Sequence, residues 1–242
     1  MKQGGIIGRL LVKAYEQDRS LLFEVEAKEL LRRLGLRTPA FKIAKSKRQA
    51  CFEARKVGTP VVLKVLSPGV VHKSELGGVR LNLRTRGEIG KAYDEIMRSA
   101  TRSIGDRRIY GVLVERMVPQ GTELIVGATT DEKFGPIIVF GIGGIFVELY
   151  KDFSMRLIPI TARDANEMLK EIRARDLLEG YRGQDRLDLD ELVRILLAIG
   201  GRDGLMASFP SYVKAIDLNP VVVYPRGSLV VDGKFFLHQR KR

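Results

Sequence analysis

The spacing of apolar residues along the chain predicts several amphipathic helices. Over residues 20–34 apolar side chains recur at helical intervals, and Gly35 ends the predicted helix. A second helix is predicted from Ser46, which forms a capping-box pattern with the glutamine three residues later, as far as Gly58. The most regular helical pattern follows the capping-box residue Thr85, and its apolar stripe consists of Ile89, Ala92, Tyr93, Ile96, Met97 and Ala100.

Shorter apolar runs predict strands, which are most frequent in the second half of the chain. The predicted strands cover residues 61–66, 79–83, 109–118, 123–129, 136–140, 145–149, 156–160, 212–218, 229–231 and 234–237, and further helices cover residues 162–172 and 189–199. Strands grouped before helices, with close turns between them, predict an α+β (α/β) fold with mostly antiparallel sheets backed by helices. We expect a small lobe over residues 22–112 and a larger lobe formed by residues 1–21 and 113–242.

Composition narrows the class of protein. The chain is 45% hydrophobic and 29% charged, which fits a folded protein with a sizeable core and not a disordered chain. Cys51 is the single cysteine, so no intrachain disulfide is possible and a reducing cytoplasm is the expected compartment. Residues 1–11 lack a cleavage pattern, and the apolar tract over residues 136–150 is interrupted by glycines, so no secretory signal and no membrane span are predicted.

The net charge of +13 raises the question of a nucleic-acid partner. Lysine and arginine are spread along the whole chain beside aspartate and glutamate, and the one dense basic block is the tail over residues 238–242. Tryptophan is absent and aromatic residues make up 7% of the chain, so no stacking platform for single strands is indicated. The many charged residues, the single cysteine and the few asparagines resemble the composition of a thermophilic protein. We expect no nucleic-acid partner.

Lys64 lies in an otherwise apolar predicted strand. Because side chains alternate along a strand, Lys64 shares a face with Val62 and Leu66. A lysine in such surroundings costs free energy unless an anion meets it. The lysine is therefore either a phosphate ligand or an edge-strand residue that blocks aggregation.

The predicted loop over residues 67–78 combines a histidine with two consecutive glycines. Gly77 and Gly78 directly precede a strand, where their backbone N–H groups can approach phosphate oxygens. His72 is one of 2 histidines in the chain. A neutral imidazole in a loop can accept a phosphoryl group, although a surface histidine without a chemical role is the simpler interpretation.

The junction after the strand over residues 109–118 carries two glutamates. The extended segment from Glu115 to Val118 can offer backbone groups to the edge of an adenine. Glu123, at the start of the next strand, can bind ribose hydroxyls. Solvated glutamates at strand ends are the alternative explanation for both acids.

Oxygen-bearing side chains cluster in the last predicted strands. Asp217 and Asn219 share one face of a strand, and both offer the hard oxygen ligands that Mg²⁺ prefers beside nucleotide phosphates. Pro220 is expected to end that strand, and a strand-exit turn explains the pattern equally well. Asp232, followed by glycine, is typical of a tight hairpin turn, although a carboxylate there could also reach a metal. The glycines of residues 141–144 lead into a predicted strand, which favours a strand–turn–strand over a Rossmann fingerprint.

The order of these features resembles the ATP-grasp family, and within it the β subunits of ADP-forming acyl-CoA synthetases (acetate–CoA ligases). The resemblance covers residues 21–237 and is most specific over residues 72–79, 118–127, 134–144 and 216–220. It implies a two-lobed fold with the nucleotide in the cleft, and a reversible reaction in which acyl-CoA, ADP and phosphate give the acid, CoA and ATP. It also implies a separate CoA-binding α subunit in an α2β2 assembly.

The resemblance also assigns roles to matching positions. Nucleotide binding falls to Lys64, Gly77, Gly78, Glu115, Val118 and Glu123; Mg²⁺ binding to Asn219, Asp232 and, as a third ligand, Asp217; and catalysis to His72 as phosphoryl carrier and Arg156 near the transferred phosphate. Two other interpretations stay open. One is an ATP-grasp carboxylate ligase that works without a phosphohistidine, and the other is a basic nucleic-acid-binding protein.

Overall fold

The computed structural model describes residues 2–67, 73–104, 109–143, 152–183 and 185–239. Contacts divide the chain into two compact units. The inserted unit is Pro39–Pro119, and the split unit consists of Met1–Thr38 and Gln120–Arg242. The predicted lobe boundaries differ from these units, because the helix after residue 22 packs its buried face into the core of the split unit.

The helices and strands of the described residues have the following bounds. In chain order they are α1 (Lys2–Glu16), α2 (Glu24–Arg33), β1 (Phe41–Ala44), α3 (Lys47–Val57), β2 (Val61–Leu66), β3 (Val79–Leu83), α4 (Arg86–Ile104), β4 (Gly111–Arg116), β5 (Thr122–Asp131), β6 (Gly135–Ile142), β7 (Phe153–Leu157), α5 (Ala162–Glu171), α6 (Arg175–Glu179), α7 (Leu189–Gly200), α8 (Leu205–Ser208), β8 (Val213–Val223), β9 (Ser228–Val230) and β10 (Gly233–Leu237).

The inserted unit is built on a 4-stranded antiparallel sheet in the order β1-β4-β2-β3. One face of this sheet packs against α3 and α4, and its core side chains are Val61, Leu63, Val65, Val112 and Val114. The caps of these helices follow the sequence. The Ser46 hydroxyl accepts the N–H of Gln49 at 3.2 Å, and the Thr85 hydroxyl accepts the N–H of Glu88 at 3.2 Å.

The split unit contains a 6-stranded antiparallel sheet in the order β10-β8-β5-β6-β7, with β9 also paired to β8. One face of the sheet is apolar and forms a single core with the helices, as shown by Leu124, Phe140 and Leu218 on the strands and by Met168 and Leu196 on the helices. The antiparallel sheets backed by helices confirm the predicted fold class.

Several segments depart from the prediction. Helix α1 was not predicted, although Ile7, Leu11 and Ala14 recur at helical spacing and are buried. Glycines among the first eight residues obscure this pattern. Strand β7 begins three residues before the predicted start at residue 156. The predicted strand over residues 145–149 and the residue His72 lie outside the described residues. Within the described part of the chain, no helix is long and apolar enough to cross a bilayer.

Candidate functional site

Lys64 and Glu115 form a buried ion pair in the inserted unit. Lys64 lies opposite Leu113 and Glu115 opposite Val62, so both charged side chains project from the sheet face opposite to α3 and α4. The Lys64 Nζ lies 3.3 Å from the Glu115 Oε2, and the two side chains are 11% and 2% exposed. The chain itself therefore supplies an anion for Lys64. Because β2 lies between two other strands, the edge-strand explanation of Lys64 is wrong.

The same pair changes the interpretation of Glu115. The glutamate is 1% exposed, so a solvated strand-end acid does not describe it. The chain beyond it is fixed by two backbone hydrogen bonds, from the N–H of Arg116 to the carbonyl of Ala40 at 2.8 Å and from the N–H of Met117 to the carbonyl of Pro60 at 2.9 Å. Val118 follows this fixed stretch and is half-buried.

Gly77 and Gly78 close a tight turn before β3. Gly77 has a φ of 63°, its N–H donates to the Ser74 carbonyl at 3.0 Å, and the N–H of Gly78 donates to the Lys73 carbonyl at 2.8 Å. This pairing is the Schellman pattern of helix ends. A Cβ on Gly78 would lie 2.6 Å from the Val65 Cγ1. Both N–H groups are thus used within the chain, so the predicted contact of these N–H groups with phosphate is not supported.

Strand β8 does not end at Pro220, as the sequence predicted. It continues to Val223. Its register with β5 shifts between Leu124 and Val126, which places an extra residue in β8 next to the proline. A proline has no N–H to donate to a ladder, and such a bulge tolerates it.

Asp232 does not lie at the tip of a hairpin. The turn after β8 is closed by the N–H of Tyr224, which donates to the carbonyl of Gly227 at 3.0 Å. Strands β9 and β10 then both pair with β8, and Asp232 lies at the interruption between them. There its carbonyl accepts the N–H of Asn219 at 3.1 Å. The hairpin explanation of Asp232 is therefore wrong, and the ladder brings Asp232 beside Asn219.

Asp217 belongs to the same group of residues. Asp217 and Asn219 flank the buried Leu218 in β8. Burial raises the pKa of Asp217 and the negative charge of Asp232 raises it further, while Lys234 opposes the shift. The Asp217 Oδ2 lies 3.8 Å from the Lys234 Nζ and the Asp217 side chain is 42% exposed, which limits the size of the shift. We call Asp217, Asn219 and Asp232 the oxygen cluster.

The oxygen cluster fits a hard cation whose remaining coordination positions are filled by oxygens from another molecule. The negative charge of Asp232 contributes to the raised pKa of Asp217, and a divalent cation would relieve the repulsion between two ionised carboxylates. In the described ranges there is no group of three histidine, cysteine, aspartate or glutamate side chains that could hold a metal. The amide oxygen of Asn219 and oxygens from a ligand would therefore complete the coordination.

Glu123 lies on the same sheet face as Asp217. It is exposed at the start of β5, and Gly127 of the same strand pairs directly with Asp217. An even separation of four residues puts Glu123 and Gly127 on one face, about 13 Å apart along the strand. Glu123 is thus displaced from the oxygen cluster along a common surface.

Arg156 lies on the other face of that sheet. It pairs opposite Ile138, which belongs to the helix-facing core. Its guanidinium donates to both carboxylate oxygens of Glu171, and one of these contacts measures 2.8 Å; the carboxylate of Glu167 lies 3.8 Å away. The hydrogen bonds to Glu171 raise the pKa of Arg156. The structure does not bring Arg156 to the face of the oxygen cluster, so its predicted role beside phosphate is not supported.

One buried lysine near Asp232, Lys28, was not among the candidate residues identified from the sequence. The Lys28 Nζ donates to the carbonyl of Val231 at 2.7 Å, and it lies 3.8 Å from the Glu24 Oε1, with side chains 1% and 2% exposed. In the sequence, Lys28 lies one helical turn before the core residue Leu31. A lysine within an apolar stripe is the signal that could have identified it.

Known proteins resemble this chain over nearly its whole length. A model of the ATP-grasp domain matches residues 13–237. The chain is 40% identical over 228 residues to the acetate–CoA ligase [ADP-forming] I subunit beta of Pyrococcus furiosus, which covers 94% of this chain and 96% of that protein.

Solved structures give the same picture. Acetyl-coenzyme A synthetase 1 of Ca. Korarchaeum cryptofilum, in complex with coenzyme A and Ca-AMPCP, is 42% identical with a TM-score of 0.87, covering 95% of this chain and 99% of that one. Another structure of that protein holds coenzyme A and Mg-AMPPCP, with its phosphohistidine segment pointing towards the nucleotide binding site. It is 39% identical with a TM-score of 0.82, and covers 96% of this chain and 100% of that one.

Proposed function

The chain belongs to the ATP-grasp family, and from that premise we propose that it is the nucleotide-binding β subunit of an ADP-forming acyl-CoA synthetase. The reaction converts acyl-CoA, ADP and phosphate into the acid, CoA and ATP, and it is reversible. The observation that carries the proposal is the oxygen cluster, in which strand pairing places Asp232 beside Asn219 and close to Asp217 of the same strand, β8. The subunit name of the Pyrococcus furiosus relative supports a partner subunit. We propose further that this α partner binds CoA, that the assembly is α2β2 and that it works in the cytoplasm.

The split unit would hold the metal and the ribose. Asn219 and Asp232, with Asp217 beside them, are the proposed ligands of Mg²⁺, and Glu123 is the proposed partner of the ribose hydroxyls. When bound, the Mg²⁺ ion neutralises negative charge on the phosphates during transfer. The hydrogen bond between the Asn219 N–H and the Asp232 carbonyl supports this assignment, since it fixes two proposed ligands against each other.

The inserted unit would hold the phosphates and the base. Lys64 is the proposed phosphate ligand, and Glu115 holds its ammonium group in place from 3.3 Å away. We therefore assign Glu115 first to the orientation of Lys64, and only through this pair to the nucleotide. Val118 is the proposed contact of the adenine, and the turn at Gly77 and Gly78 would line the phosphate end by its shape.

His72 is the proposed phosphoryl carrier. In the direction of ATP cleavage, an imidazole nitrogen forms a bond to the γ-phosphorus as the bond to the β–γ bridging oxygen breaks, and ADP leaves. The reverse step, attack of an ADP phosphate oxygen on phosphohistidine, gives ATP. The support for His72 is its position in the sequence and the phosphohistidine segment of the Korarchaeum structure.

A labelling experiment tests this proposal directly. The purified chain is incubated with Mg²⁺ and ATP labelled in its γ-phosphate, and we expect acid-labile, base-stable label on the protein. His72→Ala should abolish the label. His238→Ala removes the other histidine and serves as the matched control that should keep it.

Two results would contradict the proposal. Full labelling of His72→Ala would exclude the histidine as carrier and would favour an ATP-grasp ligase that works without a phosphohistidine. Absence of any ATP affinity, combined with DNA binding that weakens steeply with salt, would favour a nucleic-acid-binding protein. With the α partner, the wild-type chain should form ATP from acyl-CoA, ADP and phosphate.

A further inference from the structure

Among the described residues of the split unit, Lys28 is the most completely buried charged side chain that the proposed reaction does not use. It is 1% exposed, and it lies on α2 among core residues such as Leu30 and Leu31. A buried ammonium is costly unless it is paired and hydrogen-bonded. Glu24, one turn earlier, supplies the opposite charge from 3.8 Å away.

The hydrogen bond of Lys28 ends beside the oxygen cluster. Its Nζ donates to the carbonyl of Val231 at 2.7 Å, and Val231 is bonded directly to Asp232. The N–H of Val231 donates to the Pro220 carbonyl at 3.0 Å, and the Asp232 carbonyl accepts the N–H of Asn219 at 3.1 Å. The lysine therefore binds one end of a short hydrogen-bonded segment, in which Val231 and Asp232 face Pro220 and Asn219. We call these four residues the corner, and two of them, Asn219 and Asp232, are proposed metal ligands.

This corner lacks the regular ladder that would otherwise fix it. It is the interruption between β9 and β10, and the facing part of β8 contains the bulge at Pro220. An irregular backbone on both strands leaves the direction of the Asp232 side chain dependent on other contacts. A charged hydrogen bond from a rigid helix is well suited to this task, because it is short and directional.

We propose that Lys28 is a positioning residue for the metal–nucleotide site, which it serves by fixing the Val231–Asp232 peptide and hence the Asp232 carboxylate relative to Asn219. This inference rests on the proposed function, in which Asp232 and Asn219 hold Mg²⁺. Lys28 touches neither metal nor nucleotide in this account. It acts on the corner, and the corner orients the ligand.

The first test follows hydrogen exchange in the chain without nucleotide. Lys28→Met keeps an unbranched side chain that is one atom shorter and removes its hydrogen-bond donors. We expect the amides of Asn219 and Val231 to exchange about tenfold faster or more, relative to amides of strand β6 in the same protein. Leu30→Ala is the matched control, because it removes a buried apolar side chain from the same helix and leaves the hydrogen bond from Lys28 to Val231 in place. It should leave that ratio unchanged.

The second test measures the affinity for ADP with and without Mg²⁺ by calorimetry. In the wild-type chain Mg²⁺ should strengthen ADP binding. In Lys28→Met that enhancement should fall about 10–100-fold, as it does when the outer partners of metal ligands are removed, while the affinity for metal-free ADP changes less than about twofold. Leu30→Ala should keep the enhancement of the wild-type chain.

The outcomes separate this inference from the function on which it rests. A wild-type chain without Mg²⁺-dependent ADP affinity would overturn the proposed function, and the role of Lys28 with it. A wild-type enhancement that persists in Lys28→Met, or unchanged relative exchange at Asn219 and Val231, would overturn the role of Lys28 alone.

Discussion

The sheets of the two units carry charge in opposite ways. In the inserted unit, Lys64 and Glu115 oppose each other at 3.3 Å and are almost fully removed from solvent. In the split unit, burial and then the negative charge of Asp232 raise the pKa of Asp217 against the effect of Lys234, and the Asp217 side chain remains 42% exposed. The first arrangement is balanced by the chain itself. The second is balanced by the chain only in part, through Lys234 at 3.8 Å from Asp217, and a cation from the solvent would complete the balance.

This difference predicts different responses to the removal of a charge. Loss of one member of the buried pair leaves the other charge unpaired in surroundings of low dielectric constant, so the free energy of unfolding should fall. Loss of one carboxylate in the oxygen cluster relieves repulsion, so the fold should tolerate it and the affinity for a metal–nucleotide should suffer. Stability and binding can therefore be separated experimentally.

The largest effect is expected for Lys64→Met. Removal of the charge opposite Glu115 should lower the free energy of unfolding by about 3–5 kcal/mol, as measured by urea denaturation, because it breaks a buried pair. ADP affinity should fall as well. The double variant Lys64→Met/Glu115→Leu should regain much of the stability but not the affinity. A cost below about 1 kcal/mol for the single variant would show that the pair behaves like a surface salt bridge.

A smaller effect is expected for Gly78→Ala. The new Cβ would lie 2.6 Å from the Val65 Cγ1 and 3.0 Å from the Lys73 carbonyl oxygen, and such overpacking costs about 1–3 kcal/mol of unfolding free energy. Gly87→Ala is the control in the same unit. Its Cβ would meet Thr85 at 4.0 Å, and a helical alanine should stabilise by up to about 1 kcal/mol. Equal melting temperatures for both variants would contradict the close approach of the turn to β2.

The smallest effect concerns the cap of α4, which includes none of the proposed ligands. Backbone hydrogen bonds from Arg84 and then Thr85 lower the pKa of Glu88. Because the folded-state pKa is lowered, the stabilisation is present above the ordinary glutamate pKa and is lost as the pH falls through the lowered value. Glu88→Gln should flatten this part of the stability–pH curve and leave ADP affinity unchanged. An unaltered acid profile would show that the cap does not act through the charge of Glu88.

Elements with an uninterrupted local signal could be predicted from the sequence. Strand β2 is apolar apart from Lys64, and its observed bounds are the predicted ones. The capping residues Ser46 and Thr85 also act as predicted, since a cap depends on neighbours three positions away. Helix α1 was missed because its glycines argue against a helix, whereas packing of Leu11 and its neighbours into the core decides the outcome.

The details of the site could not be predicted, because they depend on pairing between distant segments. Asp232 followed by glycine is locally a turn signal, and only the pairing of β9 and β10 with β8 shows that it lies in line beside Asn219. The face of Arg156 follows from its register with Ile138. The partner of Lys28 is 203 residues away in the sequence.

The central claim is that the oxygen cluster binds Mg²⁺ together with a nucleotide. Calorimetric titration of ADP with and without Mg²⁺, for the wild-type chain, Asp232→Asn and the exposed control Glu132→Gln, tests it most directly. We predict that Mg²⁺ strengthens ADP binding to the wild-type chain and to the control, and that Asp232→Asn loses about tenfold or more of that enhancement with its metal-free affinity preserved. An undiminished Mg²⁺ enhancement in Asp232→Asn would contradict the account.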